Sequence, residues 1–150
     1  MTLTDLDFEA AVPDPAVLSP DAPPLVPAPE RDEGPLRSVS IAMAGALNGP
    51  DAALGINIRN GIQLAVDKHN EANPGCQVQL KTFDTEGDPQ KASQVAPRIV
   101  DDASIIGLIG PAFSGETNAT GDVFNQAGLV AVTASATNVT LSEKGWRTFF

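Results

Sequence analysis

From residue 38 onward, short apolar runs alternate with longer segments whose apolar positions recur every three or four residues. The short runs at 38–44, 77–83, 104–110 and 129–133 read as strands, and 77–83 alternates polar with apolar as a half-buried strand does. Between the first two, segment 56–70 carries Ile58, Ile62, Ala65 and Val66 at helical spacing, with Arg59, Gln63, Asp67 and Lys68 facing outward. Asn73-Pro74-Gly75 ends that helix. A second helix opens with Asp88 as N-cap and Pro89 at its first position and runs to about residue 101. Pro97 sits inside it and is expected to kink it. A third helix covers roughly 116–126 and is stopped by Ala127-Gly128. Residues 45–55, with the turn signal Gly49-Pro50-Asp51, form a loop, and 138–144 a short helix or turn. Residues 147–150 begin a fifth strand, and the sequence stops inside it.

Strands alternating with helices mark an α/β domain. The expected architecture is an open parallel sheet with helices on both faces, in the flavodoxin-like order 2-1-3-4-5, incomplete at its fifth strand. In such a sheet ligands bind outside the carboxyl ends of the strands, where the order reverses. The loops at 45–55, 111–117 and 134–138 then ring one crevice. Ser114 and Thr117 stand at the start of the third helix, and Ser135 and Thr137 one strand over. A helix start carries partial positive charge and unpaired N–H donors, so these hydroxyls beside it suit a carboxylate. The plainer alternative is that Ser114 and Thr137 are only helix caps. Thr133, one residue before its loop, is expected to face the sheet packing and to matter much less.

The first part of the chain has a different texture. Residues 1–38 hold 8 of the 13 prolines and a net charge of −6 out of −10. Residues 1–37 are expected to be a disordered, Pro- and acid-rich arm, because little apolar surface offsets the cost of ordering it. The chain lacks the basic footprint that nucleic-acid binding or anionic membranes require. The first residues have neither the basic nor the apolar region of a signal peptide, and no run approaches a membrane span in length.

Other motifs carry little chemistry. The loop 110–117 lacks the Gly-Lys-Ser/Thr of a phosphate-binding loop, and 45–49 is not a dinucleotide fingerprint. Asp84, Glu86 and Asp88 do not follow calcium-loop spacing and read as a solvated loop plus N-cap. No metal or cofactor is expected. The single cysteine, Cys76, reads as a buried or half-exposed thiol at a strand start, with His69 on a different element. Asn118 and Asn138 match glycosylation acceptors only formally. Trp146, Phe149 and Phe150 read as core or hinge-strand residues.

Five stretches, taken in order, resemble the branched-chain amino acid class of type I periplasmic solute-binding proteins. They are Gly45 to Gly55, Asn60 to Asp67, Phe83 to Pro89, Ile109 to Gly115 and Ala134 to Asn138. The resemblance covers about residues 39–150, the first half of the first lobe, and the first 38 residues have no counterpart. It implies a two-lobed receptor that closes on an aliphatic amino acid or similar solute and delivers it, outside the cytoplasm, to the permease of an ATP-driven (ABC) transporter. By motif position, Ser114 resembles the hydroxyl contact to the ligand carboxylate. Ser135 resembles the residue whose carbonyl accepts from the ammonium, and Thr137 the contact to both groups. Leu54 falls where many members place an aromatic over the ligand side chain. The second lobe is missing, which implies a fragment, a truncated product or a badly bounded gene. The alternative function is a ligand-sensing module of a signalling or regulatory protein. An enzyme is disfavoured, because no nucleophile–base pair or cofactor fingerprint appears.

Overall fold

The computed structural model describes residues 39–150. The expectation of a disordered arm at 1–37 lies outside the described residues. The elements run β1 (Val39–Gly45), α1 (Ala52–Ala72), β2 (Val78–Asp84), α2 (Pro89–Val100), β3 (Ile105–Ile109), α3 (Ser114–Ala127) and β4 (Ala131–Val132), followed by a 3₁₀ helix (Val139–Lys144). All strand pairs are parallel, in the order β2-β1-β3-β4. A parallel bridge from Ala131 to Phe149 adds the last residues beside β4, so the spatial order is 2-1-3-4-5 with only a beginning of the fifth strand.

Side chains alternate across the sheet and so sort to its two faces. Ala42 and Ala44 of β1, with Ile105, Leu108 and Ala131, meet Ala96 and Ile99 of α2 and Phe124 of α3 in one buried cluster. On the opposite face Ile62 and Val66 of α1 approach Ile41, Val78 and Ile109. No helix among the described residues is long and apolar enough to cross a membrane.

Helix α1 starts four residues earlier than the periodicity predicts, at Ala52. Gly55 reads as the end of a loop in the sequence, yet it lies in the first helical turn and is buried. A Cβ there would stand 1.8 Å from the Ala46 carbonyl oxygen, so glycine lets the helix start press against the end of β1. Gly110 serves β3 in the same way: its φ is +119°, and a Cβ would meet Ala44 O at 2.2 Å. Ala65 is turned towards the sheet, as its spacing predicts, but stays exposed because it lines an open cavity there. Helix α2 continues through Pro97, and its N-cap is the expected one, with Asp88 accepting from the amides of Gln90 and Lys91 at 2.6 and 3.1 Å. Helix α3 begins at Ser114, two residues before the predicted start.

The link from α1 to β2 is held by side-chain amides. Asn70 donates to Val78 O and accepts from Val78 N–H, both at 2.8 Å, extending the ladder of this edge strand. Cys76 lies in the turn before β2 and is exposed, where a buried or half-exposed thiol at the strand start was expected. The same turn brings its carbonyl within 3.1 Å of His69 Nε2.

Candidate functional site

Because the strands are parallel, the loops after β1, β2, β3 and β4 all emerge at the same end of the sheet. Helices α1 and α2 leave to opposite faces, so the order reverses between β1 and β3, where a crevice is expected. Asp84, the last residue of β2, ties two of these loops together. It accepts from Leu47 N–H at 2.8 Å, from Asn48 Nδ2 at 2.7 Å and from Glu86 N–H at 3.0 Å. Partial burial works against its ionisation, but these donors outweigh it and hold the carboxyl below its ordinary range. Glu86 pairs with Lys91 and Asp88 caps α2, so each member of the acidic cluster has a structural partner.

The loops after β3 and β4 are stitched directly to each other. Ser114 Oγ accepts from the amides of Thr137 and Asn138, at 3.2 and 3.1 Å. Ser135 Oγ donates to Ala112 O at 2.5 Å. Thr133 Oγ1 donates to Pro111 O at 2.9 Å and accepts from Ala136 N–H at 3.0 Å. Thr133 is therefore a positioning residue between both loops, against the expectation that it faces only packing. A threonine at the end of a strand gives no sequence signal of this role, since its partners are carbonyls and amides with no residue identity.

The cap reading of Ser114 and Thr137 fails by one residue in each case. Phe113 holds the N-cap position of α3, and Asn138 that of the 3₁₀ helix, where its side chain accepts from Thr140 N–H. Ser114 is instead the first helical residue. Its two acceptor positions are filled by amides of the other loop, and its proton is left to donate. The amides of Ser114, Gly115 and Glu116 precede the first intrahelical bond, from Thr117 N–H to Phe113 O at 2.9 Å; Glu116 is buried, which leaves those of Ser114 and Gly115 open to an outside acceptor. Thr137 is exposed, and its hydroxyl has no partner among the described residues.

Two expected site residues stand differently. Leu54 lies in the first turn of α1 rather than in a loop and is 40% exposed. Thr117 is fully buried, with its hydroxyl donating to Phe113 O at 3.0 Å, so it anchors the first turn and offers nothing to the crevice. Phe113 was not singled out by the sequence reading, yet its ring edge and the Asp51 carboxylate both flank Gly87, so the starts of α1 and α3 converge on the loop after β2.

Beneath them lies Glu116, 0% exposed. Its Oε2 accepts from Phe113 N–H at 3.1 Å. Burial pushes this carboxyl up; hydrogen bonding to Thr85 and Phe113 pulls the other way, and the carboxylates of Asp88 and Asp51 add to the rise. An apolar cavity of about 350 Å³ lies apart from these loops, between α1 and the sheet. Its lining, Ile41, Ile62, Val66, Val78 and Ile109 with His69, lacks the converging polar groups that orient a small polar ligand. No group of three His, Cys, Asp or Glu placed to hold a metal occurs among the described residues.

Known proteins share this arrangement. The Leu/Ile/Val-binding protein BraC3 of Rhizobium johnstonii is 34% identical over 109 residues, which are 71% of this chain and 29% of that protein. The Leu/Ile/Val-binding protein of Escherichia coli is 30% identical over 111 residues, 73% of this chain and 30% of that protein. The branched-chain amino acid transporter substrate binding protein LivJ of Streptococcus pneumoniae, solved in complex with isoleucine, superposes with a TM-score of 0.70 at 30% identity, covering 75% of this chain and 33% of that one. The chain thus spans about a third of the length of the relatives it matches. Residues 38–150 also fit the family model described as periplasmic binding protein, and with the parallel 2-1-3-4 sheet and its paired loops the chain belongs to that family.

Proposed function

We propose that this chain forms one wall of the ligand site in the solute-binding subunit of an ATP-driven amino acid transporter, working outside the cytoplasm and without catalysis. The observation that carries this reading is the state of Ser114. Both of its acceptor positions are taken by the Thr137 and Asn138 amides, so what remains is a donor. That donor lies beside the open amides at the positive end of α3. Such a group of donors calls for an acceptor that carries negative charge, and the carboxylate of an α-amino acid supplies it. The carbonyl of Ser135 and the free hydroxyl of Thr137 then face the adjacent ammonium. Relatives named for leucine, isoleucine and valine, and solved complexes with isoleucine and leucine, support an aliphatic amino acid. Leu54 gives that side chain an apolar neighbour at the crevice edge. Delivery to a membrane permease is the partner reading that the family supports.

The test uses a chimera in which residues 39–150 replace the matching segment of the Escherichia coli relative, so that a second wall is supplied. Calorimetry with L-leucine should give binding that Ser114→Ala and Thr137→Val each weaken by about 10–150-fold, the worth of a hydrogen bond to a charged group. Thr117→Val should leave affinity close to that of the parent. Affinity unchanged in Ser114→Ala would overturn the site. Binding of L-leucine to the 150-residue chain alone should be millimolar or weaker, since one wall buries little of the ligand.

A further inference from the structure

Helix α3 carries the connection from β4 to the beginning of the fifth strand along one of its sides. At its start, Ser114 Oγ accepts from the amides of Thr137 and Asn138. Further along, Trp146 Nε1–H donates to Asp122 Oδ1 at 2.6 Å, and the amide of Arg147 donates to Asn125 Oδ1 at 2.8 Å. Between these points the indole rests on Gly121, which is buried. A Cβ there would stand 2.3, 2.4 and 2.5 Å from Cη2, Cζ3 and Cζ2 of the Trp146 ring. At about 100° per residue, Ser114, Gly121 and Asn125 fall within about 40° of one another and form one stripe of the helix. The connection follows that stripe in the same direction, from 137–138 at one end to 146–147 at the other.

Gly121 sits inside a helix, where glycine is less favourable than alanine. It caps nothing and turns nothing, so the close approach of the indole is what its missing side chain answers. The other side of the ring is also occupied. Phe149 meets it edge-on, with ring centroids 5.8 Å apart. Just beyond, the chain joins the sheet: Thr148 O accepts from Ala131 N–H at 2.8 Å, and Phe150 N–H donates to Ala131 O at 2.9 Å. Trp146 is thus wedged between α3 and the sheet edge. The rest of the connection is lightly held. Val139 is 76% exposed, and Leu141 is the buried residue of the 3₁₀ helix. The hydrogen bonds to Ser114, Asp122 and Asn125 are all exposed to water.

We propose that Trp146 is a positioning residue for the crevice: seated on Gly121, it latches the connection onto α3 and so keeps the amides of Thr137 and Asn138 on Ser114 Oγ before any ligand arrives. With its acceptor positions filled in advance, Ser114 presents its proton in a fixed direction. Once the ring leaves the notch, the connection keeps Leu141 and hydrogen bonds that water replaces at little cost. The loop at 134–138 then lifts from the start of α3, and the Ser114 hydroxyl turns to solvent. The consequence for ligand binding rests on the reading of Ser114 as a carboxylate contact, whereas the latch itself is a property of the folded chain.

The experiment is hydrogen exchange of the 150-residue chain, read at the amides of Thr137 and Asn138 against those of Leu108 and Gly110 beside them in the sheet, together with the fluorescence of Trp146, the single tryptophan. Gly121→Ala should push the ring out, shift its emission to longer wavelength and quicken exchange at Thr137 and Asn138 by about tenfold, with the sheet amides unchanged. Trp146→Ala should quicken the same two amides by a similar factor. In the Trp146→Ala background Gly121→Ala should add nothing, because the ring it would strike is gone. Trp146→Phe, which returns a ring to the notch, should restore slow exchange. Unchanged exchange at Thr137 and Asn138 in Trp146→Ala would overturn the proposal, and so would equal quickening of the sheet amides, the mark of a general loss of stability. If Trp146→Ala does not fold, Gly121→Ala decides, since it removes no side chain. In the chimera that supplies a second wall, Trp146→Ala should weaken L-leucine by about three- to tenfold, as the competent loop becomes a fraction of the population. Unchanged affinity there would overturn the role in the crevice. A parent chimera that binds no L-leucine would instead overturn the amino acid reading, and the exchange rates would still decide the latch.

Discussion

On one face of the sheet, α2 and α3 enclose Ala42, Ala44, Ile105, Leu108 and Ala131, each 7% exposed or less. On the other, α1 rests alone near Ile41 and Met43, while Ile106, Val130, Val132 and Phe150 stay 40–66% exposed. The two faces come from the same strands, read at alternate positions. Apolar composition is therefore no guide to which positions stabilise the chain: Ile106 and Leu108 are two residues apart, on opposite faces across the irregular register of β3. What differs is the number of helices laid over each face. The strength of the fold sits on the α2–α3 side, while the crevice loops hang from the strand ends common to both.

The sharpest way to break this comparison is to truncate one apolar residue on each face. Leu108→Ala should lower the unfolding free energy by about 2–5 kcal/mol, the usual cost of a cavity in a closed core. Ile106→Ala should change it by less than about 0.5 kcal/mol, as at an exposed position. Urea unfolding of the two variants is the measurement. Equal losses would show that both faces are equally packed.

A second pair of variants probes how α1 is attached. Gly55→Ala puts a Cβ into the Ala46 carbonyl, and only a shift of the helix or the strand end relieves it. The expected cost is about 1–3 kcal/mol. Gly61→Ala, in the same helix, meets nothing within 4 Å and should stabilise by about 0.5–1 kcal/mol through helix propensity. Denaturation midpoints moving in opposite directions would place the constraint at the docking point of α1 and not in the helix itself.

At the far end of the α2–α3 side, Lys81 joins Asp102 at 2.5 Å and Ser104 Oγ at 2.8 Å, beside the buried hydroxyl of Ser40. The Lys81 ammonium, with the hydroxyl and amide of Ser104, lowers the Asp102 carboxyl from 3.8 to about 2. A depressed carboxyl stabilises the fold above its unfolded value and loses that contribution as pH falls through its folded value. Stability should thus decline as pH falls from about 4 towards 2, and Asp102→Asn should flatten that part of the curve. An acid limb of the same slope in the variant would remove Asp102 from the account. Glu116 works in the opposite direction, destabilising as pH rises.

The smallest effect belongs to Cys76, in the exposed turn on the α1 side. A maleimide should label it in the folded chain without denaturant, leaving the unfolding midpoint unchanged. Protection from labelling would contradict the exposed turn.

The sequence by itself determined the α/β class, the number and order of elements, the parallel 2-1-3-4-5 arrangement and the loops that meet at one end. Each of these follows from local period and from the handedness of crossovers, which depend on neighbours along the chain. The Asp88-Pro89 start of α2 was legible for the same reason. Ser114 and Ser135 were legible as residues of loops at the carboxyl end of the sheet, but not in what they bond. The start of α1 was misread because Gly55, a loop signal locally, answers a contact with Ala46 nine residues away. Thr117 was read as a site residue because position alone cannot tell a hydroxyl that turns back onto its own helix from one that turns out. Thr133 and Glu116 gave no signal at all. Their partners lie up to 31 residues distant and include backbone atoms that every residue type shares. Only folding takes Thr85 and Glu116 out of water, with Asp51 and Asp88 left exposed nearby, and no local pattern along the chain announces that burial.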